Sequence, residues 1–169
     1  MFVRTKRVKG NEYAYLVKSV WTKQGPRQRV VRYIGRVFKP KKVHNIGVEE
    51  YGGMAVKELA KEDIQTLLTL LVERELSNHG FQRRGKQWVL DGCVVKPSIG
   101  AATINGHNIA VRMNEGFLCR STIRALKRVL GKDKLSGHEL ASAFLEAGID
   151  IDKQLFVLLY QRLMPHKQS

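Results

Sequence analysis

From Glu12 to Trp21 the chain alternates. Tyr13, Tyr15, Val17, Ser19 and Trp21 would share one face of an extended strand, and Ala14, Leu16, Lys18 and Val20 the other. Arg29 to Ile34 repeats the pattern, with Val30, Arg32 and Ile34 opposite Arg29, Val31 and Tyr33. A period of two marks a half-buried strand. Phe2-Val3-Arg4 supplies a third, short strand, and Gly10-Asn11 and Gln24-Gly25-Pro26 supply the turns. The expected unit is an antiparallel β-meander over residues 1–42.

The pattern then changes. Lys39-Pro40-Lys41-Lys42 reads as a basic connector, and residues 43–53, with three glycines and no period, read as a linker. Ile64, Leu67, Leu68, Leu71, Val72 and Leu76 recur at helical spacing, so a helix is expected over Ala60 to Asn78, beginning as early as Met54. Short strands follow at Gln87 to Leu90, Cys93 to Lys96, Ala101 to Ile104 and Asn108 to Met113. Asp91-Gly92 and Asn105-Gly106 are the strongest hairpin turns in the chain. Three helices close it. Ser121 is the expected cap of one running to Leu130. Ser136 and Glu139 form a capping box for the second. Asp150 is the expected cap of the last, which Pro165 stops. That helix holds Leu155, Phe156, Val157, Leu158, Leu159, Tyr160, Leu163 and Met164, apolar nearly all round, which predicts burial. Leu155, Phe156, Leu159 and Leu163 are the candidates for pairing with a second copy. The fold class is therefore α+β, with a second domain over residues 54–169.

Charge changes the picture more than composition does. The 169 residues carry 30 Lys+Arg against 15 Asp+Glu, a net charge of +15. Residues 1–42 hold thirteen of the cations, Arg4, Lys6, Arg7, Lys9, Lys18, Lys23, Arg27, Arg29, Arg32, Arg36, Lys39, Lys41 and Lys42, and a single acid, Glu12. Such concentration in a folded segment points to nucleic-acid phosphates. Tyr13, Tyr15, Trp21 and Tyr33 lie among these cations and are candidates for stacking on bases. The competing expectation is that the same rings form the core of a thin sheet. Arg83, Arg84 and Lys86 make a smaller cluster beside Trp88, read equally as a solvated turn. Arg120, Arg124, Lys127 and Arg128 lie on the first of the closing helices, the last three within about one turn of each other.

Residues 1–36 also resemble the N-terminal arm of insertion-sequence transposases. The likeness rests on Met1-Phe2-Val3-Arg4, on Tyr13-Ala14-Tyr15-Leu16-Val17-Lys18-Ser19-Val20, and on Arg27-Gln28-Arg29-Val30-Val31-Arg32-Tyr33-Ile34-Gly35-Arg36. It implies contact with nucleic acid. The catalytic domain that follows the arm in that family has no counterpart in the remaining residues.

Other chemistry is sparse. No apolar run approaches the roughly 18 residues that span a bilayer, so no membrane partner is expected. Cys93 and Cys119 cannot build a four-cysteine zinc site, and a reducing, cytoplasmic setting is expected. His44, His79, His107, His138 and His166 show no metal-ligand spacing, and no phosphate-binding glycine loop is present. No metal, cofactor or catalytic residue is assigned. A helix-turn-helix is rejected because the last helix is too apolar to read bases. The expected function is non-catalytic RNA binding, most simply to ribosomal RNA in a ribosomal subunit, with a homodimer able to bridge two particles as hibernation factors do. The alternatives are a DNA-binding relative of the transposase arm and a small metal-dependent nuclease using Asp91, Glu115 and Glu139.

Overall fold

The computed structural model describes residues 1–164. Pro165 and His166 lie outside the described residues. The meander forms as expected, but its strands are longer: β1 is Phe2–Val8, β2 Asn11–Thr22 and β3 Gly25–Phe38. Both hairpin turns move one residue toward the N-terminus. The first is Lys9-Gly10, between paired Val8 and Asn11, and the second is Lys23-Gln24, between paired Thr22 and Gly25.

The register of β3 is the main local correction. Tyr15 pairs Tyr33 while Ala14 pairs Gly35, so Ile34 is bulged. Leu16 pairs Arg32 while Val17 pairs Val30, so Val31 is bulged too. Each bulge resets the alternation by one. Arg27, Arg29 and Arg32 therefore share a face with Lys18 and Val20. Gln28, Val30, Tyr33 and Arg36 share the opposite face with Tyr13, Tyr15, Val17 and Trp21. Simple alternation divides these residues differently.

The expected linker is not a free connector. It contains helix α1 (Val48–Gly52), and Val43 and His44 donate backbone hydrogen bonds to the Asn78 carbonyl at 2.8 and 3.0 Å. The single expected helix is two: α2 (Val56–Leu59) and α3 (Ile64–Asn78). Asp63 separates them because its carboxylate accepts from the Thr66 amide at 3.1 Å, starting α3 afresh.

Strands β4 (Gln82–Arg84), β5 (Gln87–Leu90), β6 (Cys93–Lys96), β7 (Ala101–Ile104) and β8 (His107–Met113) make antiparallel hairpins, and β9 (Gly116–Leu118) returns on β8. Sequence periodicity leaves β4 and β9 unassigned, because three residues are too few to show a period. Asp91-Gly92 and Asn105-Gly106 are turns with both residues at positive φ, as anticipated.

The two halves share one sheet. β3 pairs β8 in parallel, Arg36 to Ile109, Val37 to Ala110 and Phe38 to Val111, giving the order β1-β2-β3-β8-β7-β6-β5-β4. Strand pairing thus runs across the boundary expected between residues 42 and 54.

Helices α4 (Arg120–Leu130), α5 (Gly137–Glu146) and α6 (Lys153–Leu163) complete the fold. The caps of α4 and α6 differ from expectation. Cys119 caps α4, its amide accepted by the Thr122 hydroxyl at 3.2 Å. Asp152 caps α6, accepting from the Gln154 amide at 2.8 Å. Ser136 and Glu139 form the expected capping box of α5. The core gathers Leu67, Leu71, Val72 and Leu76 of α3 with Val95, Val111, Leu126, Leu140, Phe144, Leu155 and Leu159. Only Leu155 and Leu159 of α6 are fully buried, while Val157 is 43% exposed. The helix is one-sided, not buried all round. No helix among the described residues is long and apolar enough to cross a membrane.

Inside this core Glu75 is fully buried. One carboxylate oxygen accepts from Arg74 at 2.6 Å and from the Asp150 amide at 3.1 Å, and the other from the Asn114 side chain at 3.1 Å. Asn114 also donates to the Gly148 carbonyl at 3.0 Å. Three separate elements are tied by polar bonds that satisfy a buried charge.

Candidate nucleic-acid interface

The β1–β2 pairing reaches along β2 only as far as Val17, opposite Phe2. Beyond that point, among the described residues, β2 pairs β3 alone, through five further pairs from Lys18–Arg29 to Thr22–Gly25. At about 3.3 Å per residue the ribbon runs on for roughly 15 Å. Nearly every residue on it is exposed, including Lys18, Lys23, Arg27 and Arg29. Trp21, near its tip, is 82% exposed. The tip is closed by the Thr22 hydroxyl, which donates to the Gly25 carbonyl at 2.8 Å. No acid occurs between Glu12 and Glu49, so nothing on the ribbon offsets its charge.

The ribbon's Lys18/Arg27/Arg29 face continues past Arg32 onto α4. Arg32 donates to the Ser121 hydroxyl, and Arg32 and Arg120 line the same small depression. Arg124 and Arg128 are exposed further along α4. Below the ribbon, the inner part of this face is apolar. Ala14 packs with Ala110 and Cys119, flanked by Val3, Ile34, Val37 and Phe117. The alternation thus places the meander's packing and the ribbon's cations on one side, separated along the strands.

The opposite face carries the aromatic row. Tyr33 lies with its ring centroid 5.3 Å from that of Tyr15 and 6.4 Å from that of Tyr13. Tyr33 remains 53% exposed. Burial against these neighbours, and then their proximity, raises its phenol pKa above the ordinary value. Arg4 and Lys6 stand on the same face by register, and Arg4 bonds Gln28 across β2. Arg36 donates to the Asn11 side chain at 2.6 Å. Tyr33 and Trp21 are therefore not the core of a thin sheet, and Tyr33 shares its face with Arg4 and Arg36.

Several expected contacts sort differently. Lys39 pairs with Glu12, which also lies 3.6 Å from Arg112. The Lys39 hydrogen bond, ahead of the other causes, holds the Glu12 carboxyl below its ordinary pKa. Among the described residues, Lys39 is thus the one member of the basic cluster already neutralised by an acid. Lys42 reaches Asn114 at 3.4 Å, while Arg7, Lys9 and Lys41 are exposed. Arg83, Arg84 and Lys86 are exposed on the β4–β5 hairpin, at the far end of the sheet order from β1. They do not join the ribbon's face. Trp88 beside them is 5% exposed and donates to Glu73 at 3.4 Å, so it is a core ring. Leu155 and Leu159 are buried in the chain's own core and offer no surface to a second copy. Phe156 and Leu163 are half-buried, and Phe156 stacks on Tyr160 at 6.5 Å.

An open cleft of about 850 Å³ lies between β3 and the β7–β8 hairpin, with Arg7, Asn11 and Glu12 of the β1–β2 hairpin also on its lining. Tyr33 and Arg36 line one wall and Asn105, His107 and Asn108 the other. The sequence alone marks Asn105 and His107 only as turn residues and Asn108 as the start of a strand. Their role depends on the β3–β8 pairing, and no local pattern announces a neighbour about 70 residues away.

The carboxylates named for a nuclease are dispersed. Asp91 occupies the β5–β6 turn, Glu115 the β8–β9 turn, and Glu139 accepts from Lys132 and Ser136. Among the described residues no group of three or more His, Cys, Asp and Glu side chains is placed to hold a metal ion. The Cys93 thiol is buried and its pKa pushed up to about 12, away from nucleophilic use.

Comparison with protein-family models, with curated proteins and with solved structures gives no match in any of the three.

Proposed function

We propose that the protein binds RNA without chemical turnover, through the β2–β3 ribbon and the adjoining face of α4, and that ribosomal RNA in the cytoplasm is its target. One observation carries the reading: a projecting, acid-free ribbon presents Lys18, Lys23, Arg27 and Arg29 to solvent, with an exposed Trp21 on the face opposite Lys18, Arg27 and Arg29. Exposed cations on a projecting arm gain little from folding and much from displacing counterions on a polyanion. The mechanism is phosphate neutralisation, with ring stacking as a second contribution.

The test is gradient sedimentation of a cell lysate at low and raised salt. Comigration with a ribosomal subunit, lost as salt rises, is the expected result. A position at the top of the gradient at both salts overturns the ribosomal target.

DNA is the second reading, and the ribbon itself favours it. A B-form major groove admits a two-stranded β-ribbon, so the lack of a reading helix does not exclude groove binding. The likeness of residues 1–36 to a transposase arm supports the same alternative. Tighter binding to one DNA duplex than to scrambled duplexes, at matched salt, would select it.

A further inference from the structure

We infer that the cleft between β3 and the β7–β8 hairpin is a binding site for a single unpaired nucleotide of the RNA, an inference that rests on the nucleic-acid reading above. The cleft is built, not incidental. Tyr33 is held against Tyr15 and Tyr13, yet remains half exposed and lines the cleft. A ring fixed by neighbours loses little freedom when a base stacks on it.

The opposite wall has the chemistry to read a base edge. Asn105 and Asn108 each carry an amide donor and a carbonyl acceptor, and His107 has a ring nitrogen of either kind. All three are exposed. Asn105 is held at φ 49 by the hairpin turn. Arg36 lies on the Tyr33 side, where a phosphate flanking the stacked base would meet it.

Size agrees with one occupant. About 850 Å³ in an open cleft accommodates a nucleotide and its water but not a duplex. A paired base shows its edges to its partner and its faces to its neighbours. Only an unpaired one can enter between Tyr33 and His107.

The site differs from the ribbon in what it selects. The ribbon's cations meet phosphates of any strand. The cleft favours RNA with a bulge or a single-stranded stretch over a continuous duplex.

The experiment compares binding of a labelled single-stranded RNA and a blunt RNA duplex of equal charge, by fluorescence anisotropy at one fixed salt. Tyr33→Ala is expected to weaken the single strand about tenfold and the duplex less than about twofold. His107→Ala, at the exposed start of β8, gives the same preference with less risk to the fold, and Tyr33→Trp restores the single-strand affinity. Equal loss on both RNAs, or no loss on either, overturns the cleft as a nucleotide site. Absence of binding to either RNA by the unaltered protein overturns instead the RNA reading on which the inference rests. Binding of single-stranded DNA as tight as of RNA keeps a nucleotide in the cleft but overturns its assignment to RNA.

Discussion

A Cβ on Gly35 would overlap the carbonyl oxygen of Asn108 and lie 2.7 Å from its carbonyl carbon. Gly35 also holds φ at 150°, in the region that L side chains rarely adopt. The close approach lies at the point where β3 meets β8, so it decides whether the meander joins the rest of the sheet. Gly35→Ala is expected to cost about 2 kcal/mol or more, from strain and backbone collision together. Denaturant unfolding measures the loss. Amide exchange should accelerate first at Val37, Phe38 and Ala110, where the parallel pairing is made. Unchanged stability and exchange would mean that the junction yields at no cost.

The two basic clusters should behave unequally. Lys18, Arg27 and Arg29 share one face of the projecting ribbon, whereas Arg83, Arg84 and Lys86 lie at the far end of the sheet order. Replacing the first three with Ala should reduce the slope of log affinity against log salt by about 2 on single-stranded RNA, at about 0.7 for each phosphate no longer neutralised. Replacing the second three should leave the slope near its original value. Equal losses from both triple variants would point to net charge, not the ribbon, as the source of affinity.

Glu75 and Arg74 make a different kind of demand. Both are buried, and the carboxylate bonds the side chain of Asn114 and the amide of Asp150 as well. Glu75→Ala leaves Arg74 with an uncompensated buried charge, for an expected loss of about 3–5 kcal/mol. Glu75→Gln keeps the shape and some hydrogen bonds and should lose less. Urea unfolding of the two variants separates charge from cavity: similar losses would show that the charge itself, which both variants remove, outweighs the packing that only Ala removes.

What the chain's pattern reveals depends on range. Tyr13 to Trp21 alternates well enough to mark a strand, and Asp91-Gly92 and Asn105-Gly106 have the turn residues their geometry needs, so β2 and two hairpins are legible. Period-two reasoning fails within β3 because bulges at Val31 and Ile34 leave no compositional mark. That failure hides the alignment of Arg27, Arg29 and Arg32. The last helix misleads because an apolar count ignores direction: Leu155 and Leu159 face the core, while Val157 faces solvent. The cleft is invisible for another reason. Tyr33 and His107 come to line one cleft only through the parallel β3–β8 pairing, and long-range register is not written in local periodicity.

Glu12 is the only carboxylate among residues 1–48, and it joins Lys39 to Arg112 between the meander and β8. Its carboxyl is held below the ordinary value of 4.5, chiefly by the Lys39 hydrogen bond. A folded-state pKa below the unfolded one gives stability that is complete above the unfolded value and lost as pH falls through the folded one. Glu12→Gln should therefore be less stable than the unaltered protein at pH 7, and the difference should shrink as pH drops below 4.5. The same change frees Lys39 and Arg112 to meet phosphates. RNA affinity at low salt should rise, and the salt slope should steepen by up to about 0.7 for each phosphate newly neutralised. Urea unfolding at the two pH values and a salt titration of binding test both halves. A stability loss that persists undiminished in acid would place the role of Glu12 in its shape or neutral hydrogen bonds. Unchanged affinity would show that Lys39 and Arg112 lie away from the RNA.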